Sequence, residues 1–144
     1  MKYYLAGAID FEKDSGASWR DELKKLCKSI PRAVFFDPVL PYSFNSITIE
    51  AATYIHNINM VALREADCIV ARIVKGQTVV GTPIEIYDSV VHHQTIILIT
   101  DMVESVYIRY MSSKSRAVVG TIQEAYDEMI KFEECQLNMV CHAI

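Results

Sequence analysis

Short apolar runs alternate along this chain with longer segments in which apolar residues recur at helical spacing. The run from Lys2 to Ala6 is rich in β-forming residues and leads into Gly7, so it predicts a strand that ends at a loop. The segment from Ser18 to Ile30 has its apolar residues three and four positions apart, which predicts an amphipathic helix. The first unit of the fold is therefore a strand, a loop and a helix.

The same alternation continues along the rest of the chain. Asp67 to Ile73 and Thr95 to Thr100 are almost continuous apolar runs, as is typical of strands that are covered on both faces. The other predicted elements are a strand at Ala33 to Phe36, a loop at Pro38 to Ser46, a long helix at Ile47 to Ala66, a helix from about Thr82, an irregular or partly helical segment at Asp101 to Arg116, a short strand at Ala117 to Gly120 and a helix at Thr121 to Glu134.

This order of elements predicts an α/β fold, namely a single doubly wound (Rossmann-like or flavodoxin-like) domain with about five parallel strands flanked by helices. Such a sheet leaves ligand crevices at the carboxyl ends of its strands. We therefore expect the functional residues in the loops that follow the strands. The predicted domain spans residues 1–134, and residues 135–144 form a C-terminal tail.

Composition and charge narrow the class of ligand. The chain has 144 residues, of which 51% are hydrophobic, so one domain can bury a core. Its 14 basic and 18 acidic residues leave a net charge of -4, which disfavours nucleic acids and anionic membranes as partners. No apolar run reaches the roughly 18 to 20 residues of a membrane span, and the N-terminus lacks a secretory pattern. We expect a cytoplasmic protein that binds a small molecule.

The cysteines and histidines do not form a metal-binding pattern. The cysteines are interpreted as free thiols because no two form a close pair: Cys27, Cys68, Cys135 and Cys141. His142 stands beside Cys141, but no further ligand is near it in the sequence. His56 in the long helix could face the crevice, and a solvated or packed histidine is the alternative.

The segment Gly81-Thr82-Pro83-Ile84-Glu85 stands where the loop after the third strand enters a helix. Two interpretations of Glu85 are open. In the first, Thr82 is the N-cap, Pro83 is the first helical residue, and Glu85 returns to the Thr82 amide in a capping box. In the second, the helix dipole keeps the Glu85 carboxylate ionised and the side chain points into the ligand crevice.

Several pieces of the chain resemble the nucleoside 2-deoxyribosyltransferase family, over roughly Lys2 to Glu128. They are the strand YYLAG, the segment IHNINMVALREAD leading into DCIVAR, the turn GTPIEI and the strand TIILIT. This resemblance implies that Glu85 is the catalytic nucleophile, which bonds covalently to the anomeric carbon of a deoxyribose. Gly81 and Thr82, beside it, are then expected to contact the substrate.

The resemblance also implies roles for residues around Glu85. Tyr4 aligns with a family Tyr whose hydroxyl lies near the nucleophile, so Tyr4 would orient Glu85; a core aromatic on the strand is the alternative. Gly7 is a position where the backbone can approach the ligand. Asp10 and Asp37 stand in loops where family members contact the base or the sugar, and each could instead be a turn former.

Two positions depart from the family pattern. Asn59 stands where the family commonly has an Asp that binds the sugar hydroxyls, and an amide can hydrogen-bond there but supplies no charge. Val79 stands six residues before Glu85, where the transferases tend to have Asp and the nucleotide-hydrolysing members have Ser. Either Thr78 or Gln77 takes over this role, or the 5′ end of the substrate is recognised differently.

Ser105, Arg109 and Met111 resemble a region that reaches the neighbouring subunit's site in the 2′-deoxynucleoside 5′-monophosphate N-glycosidase branch. There the Ser contacts phosphate, so Ser105 and Arg109 would form a phosphate clamp and Met111 would line the partner's base pocket. The alternatives are a surface or interface Arg and a Met that packs in an interface. The resemblance thus implies a homodimer or higher homo-oligomer with shared active sites.

The expected activity is cleavage of the N-glycosidic bond of a 2′-deoxynucleoside, with transfer of the sugar from Glu85 to another nucleobase. One alternative is hydrolysis of 2′-deoxynucleoside 5′-monophosphates. Another is a non-catalytic nucleotide-binding or sensor protein of the same fold, an alternative that Asn59 and Val79 motivate. The resemblance implies no metal and no organic cofactor.

Overall fold

The computed structural model of the chain describes residues 1–9, 12–38 and 48–141. The strands in these ranges are β1 (Lys2–Gly7), β2 (Val34–Phe36), β3 (Cys68–Ile73), β4 (Thr95–Thr100) and β5 (Ala117–Val119). The helices are α1 (Ala17–Leu26), α2 (Ile49–Arg64), α3 (Gly81–Val91), α4 (Val106–Lys114) and α5 (Ile122–Cys141), with a short 3-10 turn (Cys27–Ser29) after α1. None of these helices combines the length and apolar character that crossing a lipid bilayer requires.

The strands form one sheet in the order β2-β1-β3-β4-β5, and every neighbouring pair is parallel. In β1, Tyr4 pairs with Phe36 on one side and with Ile69 on the other. The chain winds in opposite directions from β1 and from β3, so the carboxyl ends of these two strands form the topological switch point. The predicted doubly wound sheet of five parallel strands is confirmed.

Successive residues of β1 point to opposite faces of the sheet and enter two separate cores. The first core, against α1 and α5, includes Tyr3, Leu5, Trp19, Leu23 and Met129. The second core, against α2, α3 and α4, includes Tyr4, Ala6, Leu63, Ile86 and Ile108. Neighbouring residues of one strand therefore face different helices.

Side-chain oxygens accept hydrogen bonds from backbone amides at the starts of α1 and α5. Before α1, Asp14 accepts hydrogen bonds from the amides of Gly16 at 2.9 Å and Ser18 at 3.0 Å. At the start of α5, Glu124 accepts from the Thr121 amide at 3.0 Å and the Thr121 hydroxyl accepts from the Glu124 amide at 3.1 Å. Thr121 and Glu124 thus form a capping box.

Residues 101–116, expected to be irregular or partly helical, contain α4 and are therefore partly helical. The end of the chain is more helical than its sequence pattern predicts. α5 continues through the predicted tail as far as Cys141 because no Gly or Pro interrupts residues 122–141. The helix end therefore does not coincide with the predicted domain boundary at residue 134.

Candidate active site

A cavity of about 450 Å³ opens at the switch point, where β1 and β3 end. Its walls come from the end of β1, one face of α2, and the loop and first turns of α3. The polar and glycine residues that line it are Gly7, His56, Asn59, Thr78, Gly81, Thr82 and Glu85. Doubly wound sheets bind their ligands at this position.

Glu85 lines this cavity from the fifth position of α3. Its Oε1 accepts a hydrogen bond of 2.5 Å from the hydroxyl of Tyr4 in β1. The side chain is therefore held from the sheet, across the second core, rather than from its own helix. A carboxylate fixed in this way has a defined position at the edge of the cavity.

The capping-box interpretation of Glu85 is wrong. α3 begins at Gly81, with Val80 as its N-cap, and no side chain caps this end. Val80 has helical backbone angles, so the helix starts before Thr82, which is already inside it and buried. Glu85 consequently lies beyond the first turn, where the influence of the helix dipole falls off.

Burial and two neighbours determine the charge of Glu85. Burial has the largest effect and raises the pKa of Glu85 above its ordinary value of 4.5. The hydrogen bond from Tyr4 and the positive charge of Arg20 both act to lower this pKa. The pKa is raised on balance, so the ionised form depends on Tyr4 and Arg20 and not on the helix dipole.

Tyr4 combines a core ring with a polar contact. The ring is fully buried and stacks on Phe36, with centroids 5.4 Å apart and an interplanar angle of 14°. Burial first, and then the nearby Glu85 carboxylate, raises the pKa of Tyr4 far above 10.0. The hydroxyl therefore stays protonated and acts as a hydrogen-bond donor to Glu85.

Gly7 lines the cavity at the end of β1, and Trp19 of α1 lies directly behind it. A Cβ atom at Gly7 would stand 2.8 Å from Cζ2 of Trp19. Packed carbon atoms rest at about 3.5 to 4.0 Å, so a side chain at Gly7 would push against Trp19. The packing of α1 against β1 therefore requires a glycine here, whatever a ligand requires.

Asn59 and His56 line the cavity from α2. The Asn59 Oδ1 atom is buried and has no hydrogen-bond partner among the described residues. An unpaired buried acceptor costs about 1 to 3 kcal/mol, so a ligand that donates a hydrogen bond would be favoured here. His56 lines the cavity and is also exposed, so it both faces the crevice and is solvated.

The loop between β3 and α3 presents Thr78 to the cavity. Val79 is half-buried and packs against the second core instead. The Gln77 side chain accepts a hydrogen bond of 3.0 Å from Arg72. Of the two residues considered as replacements for Val79, Thr78 is therefore the one that reaches the cavity.

Asp37, directly after β2, belongs to a group of charged residues next to the cavity. Its carboxylate lies 3.4 Å from Nε of Arg20 and forms a short ion pair with Lys24. Asp37 is not among the described residues that line the cavity. Asp10, the other aspartate expected to contact substrate, lies outside the described residues.

Ser105, Arg109 and Met111 lie on or next to α4 and do not line the Glu85 cavity of their own chain. Arg109 is exposed and donates a hydrogen bond of 3.1 Å to the Val103 carbonyl. Met111 is half-buried and packs against the second core. A phosphate clamp from these residues would have to act in a neighbouring subunit, which stays a prediction.

Arg20 of α1 is the residue near this site that sequence reasoning missed. It is fully buried, and its Nη1 and Nη2 donate hydrogen bonds to the carbonyls of Gly16 at 2.8 Å and Gly7 at 3.0 Å. Arg20, Leu23 and Cys27 recur at helical spacing, which places Arg20 on the buried face of α1. A charged residue on an apolar stripe was the signal available in the sequence.

The described residues contain no group of three or more His, Cys, Asp or Glu side chains that could hold a metal ion. The cavity instead presents one carboxylate, one amide, one imidazole and two hydroxyl side chains among its lining. These groups are suited to hydrogen-bonding a small polar molecule and to attack by a carboxylate.

Solved structures with the same fold include enzymes that act on nucleosides or nucleotides. The chain is similar to a 2-deoxyribosyltransferase from the psychrotolerant bacterium Bacillus psychrosaccharolyticus, with a TM-score of 0.68 and 16% identity over 88% of this chain and 90% of that one. For a 2-deoxyribosyltransferase from Leishmania mexicana the TM-score is 0.56 and the identity 24%, over 72% of this chain and 69% of that one. For a CMP N-glycosidase from Clostridium botulinum the TM-score is 0.59 and the identity 17%, over 90% of this chain and 98% of that one.

Neither a family model nor a curated protein sequence matches the chain at a significant level. At the identities above, similarity between structures establishes a shared fold. The resemblance to nucleoside 2-deoxyribosyltransferases that the sequence motifs predicted is confirmed at this level.

Proposed function

We propose that this protein is an enzyme that cleaves the N-glycosidic bond of 2′-deoxynucleosides through a covalent deoxyribosyl-Glu85 intermediate and transfers the sugar to another nucleobase. One observation carries the proposal: the Glu85 carboxylate lines the switch-point cavity and is held there by the Tyr4 hydroxyl at 2.5 Å. The deoxyribosyltransferases of the same fold support this reaction class.

A carboxylate in this position can act as the nucleophile. Tyr4 holds Oε1 of Glu85, so we assign Oε2 as the atom that attacks the anomeric carbon. The bond from that carbon to the base breaks, and its electron pair leaves with the base, which takes up a proton. A second base then attacks the same carbon through a ring nitrogen and gives up the proton of that nitrogen, which balances the proton taken up by the first base. The bond to Glu85 breaks, its electron pair returns to the carboxylate, and the transfer is complete.

The cavity suits a neutral nucleoside. A volume of about 450 Å³ lies within the usual range of small-ligand pockets, which is roughly 300 to 1,000 Å³. The unpaired Oδ1 of Asn59 is an acceptor for a sugar hydroxyl, and the Thr78 hydroxyl is a further partner at the cavity wall. Among the described lining residues there is no Lys or Arg, which disfavours a charged phosphate unless another subunit supplies the cation.

Hydrolysis of 2′-deoxynucleoside 5′-monophosphates is the second candidate function, and the CMP N-glycosidase of the same fold is the observation that favours it. In that case a homo-oligomer with shared active sites would bring Ser105 and Arg109 of one subunit to the cavity of another. Ser105→Ala and Arg109→Ala should then reduce the use of monophosphates far more than the use of nucleosides. Equal losses on both substrates would rule out a phosphate clamp.

The experiment that tests the proposal follows free base by chromatography after the protein is incubated with each deoxynucleoside, with and without a second free base. We expect base release and, when a second base is present, a new deoxynucleoside; Glu85→Gln should show neither. Release of base and sugar without a new nucleoside would identify a hydrolase. Binding of a nucleoside without release would favour the non-catalytic sensor, which Asn59 in place of a family Asp motivates.

The proposed setting of this reaction is the cytoplasm, with a deoxynucleoside as the small-molecule partner. The chain charge of -4 and the few polar side chains in the cavity lining support this kind of partner. Light scattering of the purified protein would test the proposed homo-oligomer, because a monomer at working concentration would exclude shared active sites.

A further inference from the structure

Arg20 is a fully charged side chain in a place where water cannot reach it. It has no exposed surface, yet its guanidinium group is surrounded by acceptors. The acceptor carbonyls belong to Leu5 at 3.4 Å, Gly7 at 3.0 Å, Ala8 at 3.4 Å and Gly16 at 2.8 Å. Burying an unpaired cation would cost several kcal/mol, so this degree of pairing shows a site shaped around the guanidinium group.

Three of these carbonyls come from the end of β1 and the residues just after it. Gly7 and Ala8 are also lining residues of the cavity. The planar fork of an arginine, with its fixed array of N–H donors, can hold several carbonyls at once in a set geometry. Arg20 therefore fixes the backbone that forms one wall of the cavity.

Gly16 shows how closely the chain is fitted to this side chain. Its φ is +68°, and a Cβ atom there would lie 2.1 Å from the Ala8 carbonyl oxygen and 2.6 Å from Nη1 of Arg20. A residue without a side chain is needed because the backbone passes so near both groups.

Arg20 also belongs to a group of ion pairs, and it interacts electrostatically with Glu85. Asp37 pairs with Arg20 at 3.4 Å and with Lys24 on its other side. Burial lowers the pKa of Arg20, whereas Asp37 and then Glu85 raise it. Both carboxylates therefore stabilise the cation, and by the same Coulomb interaction the cation stabilises the ionised form of Glu85.

We infer that Arg20 is a positioning residue of the active site, which fixes the Gly7 and Ala8 wall and supplies the buried positive charge that keeps Glu85 available as a carboxylate. The role in catalysis rests on the proposed function, whereas the electrostatic link between the two side chains does not. Asp37 then has a defined part: it partly neutralises Arg20 and so limits how strongly Arg20 favours the ionised Glu85.

Tyr4 on β1 and Arg20 on α1 act directly on the charge of Glu85, and Asp37 after β2 is the ion-pair partner of Arg20. His56 on α2 lines the same cavity. On α3 itself, Asp88 lies one turn after Glu85 and forms an ion pair of 2.8 Å with Arg64. A change at Arg20 or Asp37 can therefore be measured while Tyr4 and His56 are left intact.

The test is a direct titration of the Glu85 carboxyl carbon by NMR in protein that carries ¹³C-labelled glutamate, assigned by its loss in Glu85→Gln. Removing the positive charge in Arg20→Gln should move the titration of Glu85 to higher pH. Removing the negative charge in Asp37→Asn should move it to lower pH. Arg20→Lys, which keeps a charge without the fork, should titrate close to the unmodified protein.

Opposite directions for the two charge removals are the decisive result, because loss of a purely structural contact would not produce them. Lys24→Met is the matched control, since it removes a positive charge one ion pair further away and should cause a smaller upward shift than Arg20→Gln. If Arg20→Gln fails to fold, Asp37→Asn decides the question: an unchanged or upward titration of Glu85 would overturn the inference.

Activity measurements test the other part of the inference, namely that Arg20 positions the active site for catalysis. In Arg20→Lys we expect kcat/KM for deoxynucleosides to fall about a hundredfold, because the cavity wall moves while Glu85 keeps its charge. Wild-type kcat/KM in Arg20→Lys would refute the positioning role. If the unmodified protein releases no base from any substrate, the proposed function fails, while the NMR titration still decides the electrostatic link.

Discussion

Two tyrosine–glutamate pairs lie back to back on β1, one on each face of the sheet. Tyr3 donates a hydrogen bond of 2.8 Å to Glu133 of α5, and Tyr4 donates one of 2.5 Å to Glu85 of α3. Both rings also stack on a phenylalanine of β2, Tyr3 on Phe35 and Tyr4 on Phe36. The local chemistry of the two pairs is thus nearly the same.

Their surroundings differ. Glu133 lies 3.8 Å from the N-terminal ammonium group, at the outer edge of the first core, and is not a lining residue of the cavity. Glu85 lines the cavity, and the positive charge that acts on it is the buried Arg20. A tyrosine–glutamate hydrogen bond therefore does not define an active site by itself; the open space in front of the carboxylate does.

The largest expected difference between the pairs is in catalysis. Glu85→Gln should lower the rate of base release at least about a thousandfold, because an amide cannot form the covalent intermediate. Glu133→Gln should stay within about threefold of the unmodified protein, because its carboxylate does not line the cavity. Chromatographic assays of both variants measure this, with circular dichroism to verify that each is folded. Comparable losses of base release in the two variants would show that Glu85 and Glu133 do not differ in catalysis.

The second largest expected difference is between the two tyrosine variants. It concerns kcat/KM, by a smaller factor, and the pH dependence of the rate. Tyr4→Phe removes a hydrogen bond to a charged group, worth about 1.5 to 3 kcal/mol, so we expect a loss of about tenfold to a hundredfold in kcat/KM. The Tyr4 hydrogen bond lowers the pKa of Glu85, so its removal raises that pKa. Since the carboxylate is the attacking form, the acidic limb of the pH–rate profile should move to higher pH.

Tyr3→Phe is the matched control for that measurement. Its pH–rate profile should be unchanged, while loss of the bond to the charged Glu133 costs about 1.5 to 3 kcal/mol of unfolding free energy. A profile in Tyr4→Phe that overlays that of Tyr3→Phe would show that Tyr4 does not act on Glu85 during the reaction.

The smallest expected effect is on stability, and it has opposite signs at the two glutamates. The folded-state pKa of Glu85 is raised, so its stabilising contribution is full below about pH 4.5 and is lost as the pH rises through the raised pKa. Above that range the buried charge is unfavourable, and Glu85→Gln should raise the melting temperature at pH 7 but not at pH 4.

Glu133→Gln loses the attraction of the N-terminal ammonium group and should lower the melting temperature slightly, by the equivalent of about 0 to 1 kcal/mol. Differential scanning calorimetry of both variants at pH 7 and pH 4 measures these changes in melting temperature. A lower melting temperature for Glu85→Gln at pH 7 would mean that the charge of Glu85 stabilises the fold, which is the opposite of the expected effect.

The sheet was predictable from sequence because buried parallel strands are nearly continuous apolar runs. β4 at Thr95–Thr100 matches its predicted bounds for this reason. The start of α3 was not predictable in the same way. A Thr and a Glu three positions apart fit a capping box equally well at Thr82 and at Thr121, and the structure forms the box at Thr121.

The candidate site was predictable in part. The loops after β1 and β3 do meet at the cavity, because strand order brings their carboxyl ends together. The apolar stripe of α1 could have drawn attention to Arg20, but its role could not be predicted because its partners are backbone carbonyls, which carry no mark in a sequence. The ion pair between Asp37 and Arg20 depends in the same way on how α1 packs beside β2.

The most direct test of the central claim is mass spectrometry of the intact protein after acid quenching during turnover of a deoxynucleoside. We expect the protein to gain the mass of one deoxyribosyl group on the peptide that contains Glu85, and Glu85→Gln to gain nothing. Base release by the unmodified protein with no adduct on that peptide, or with the adduct on another residue, would contradict the claim.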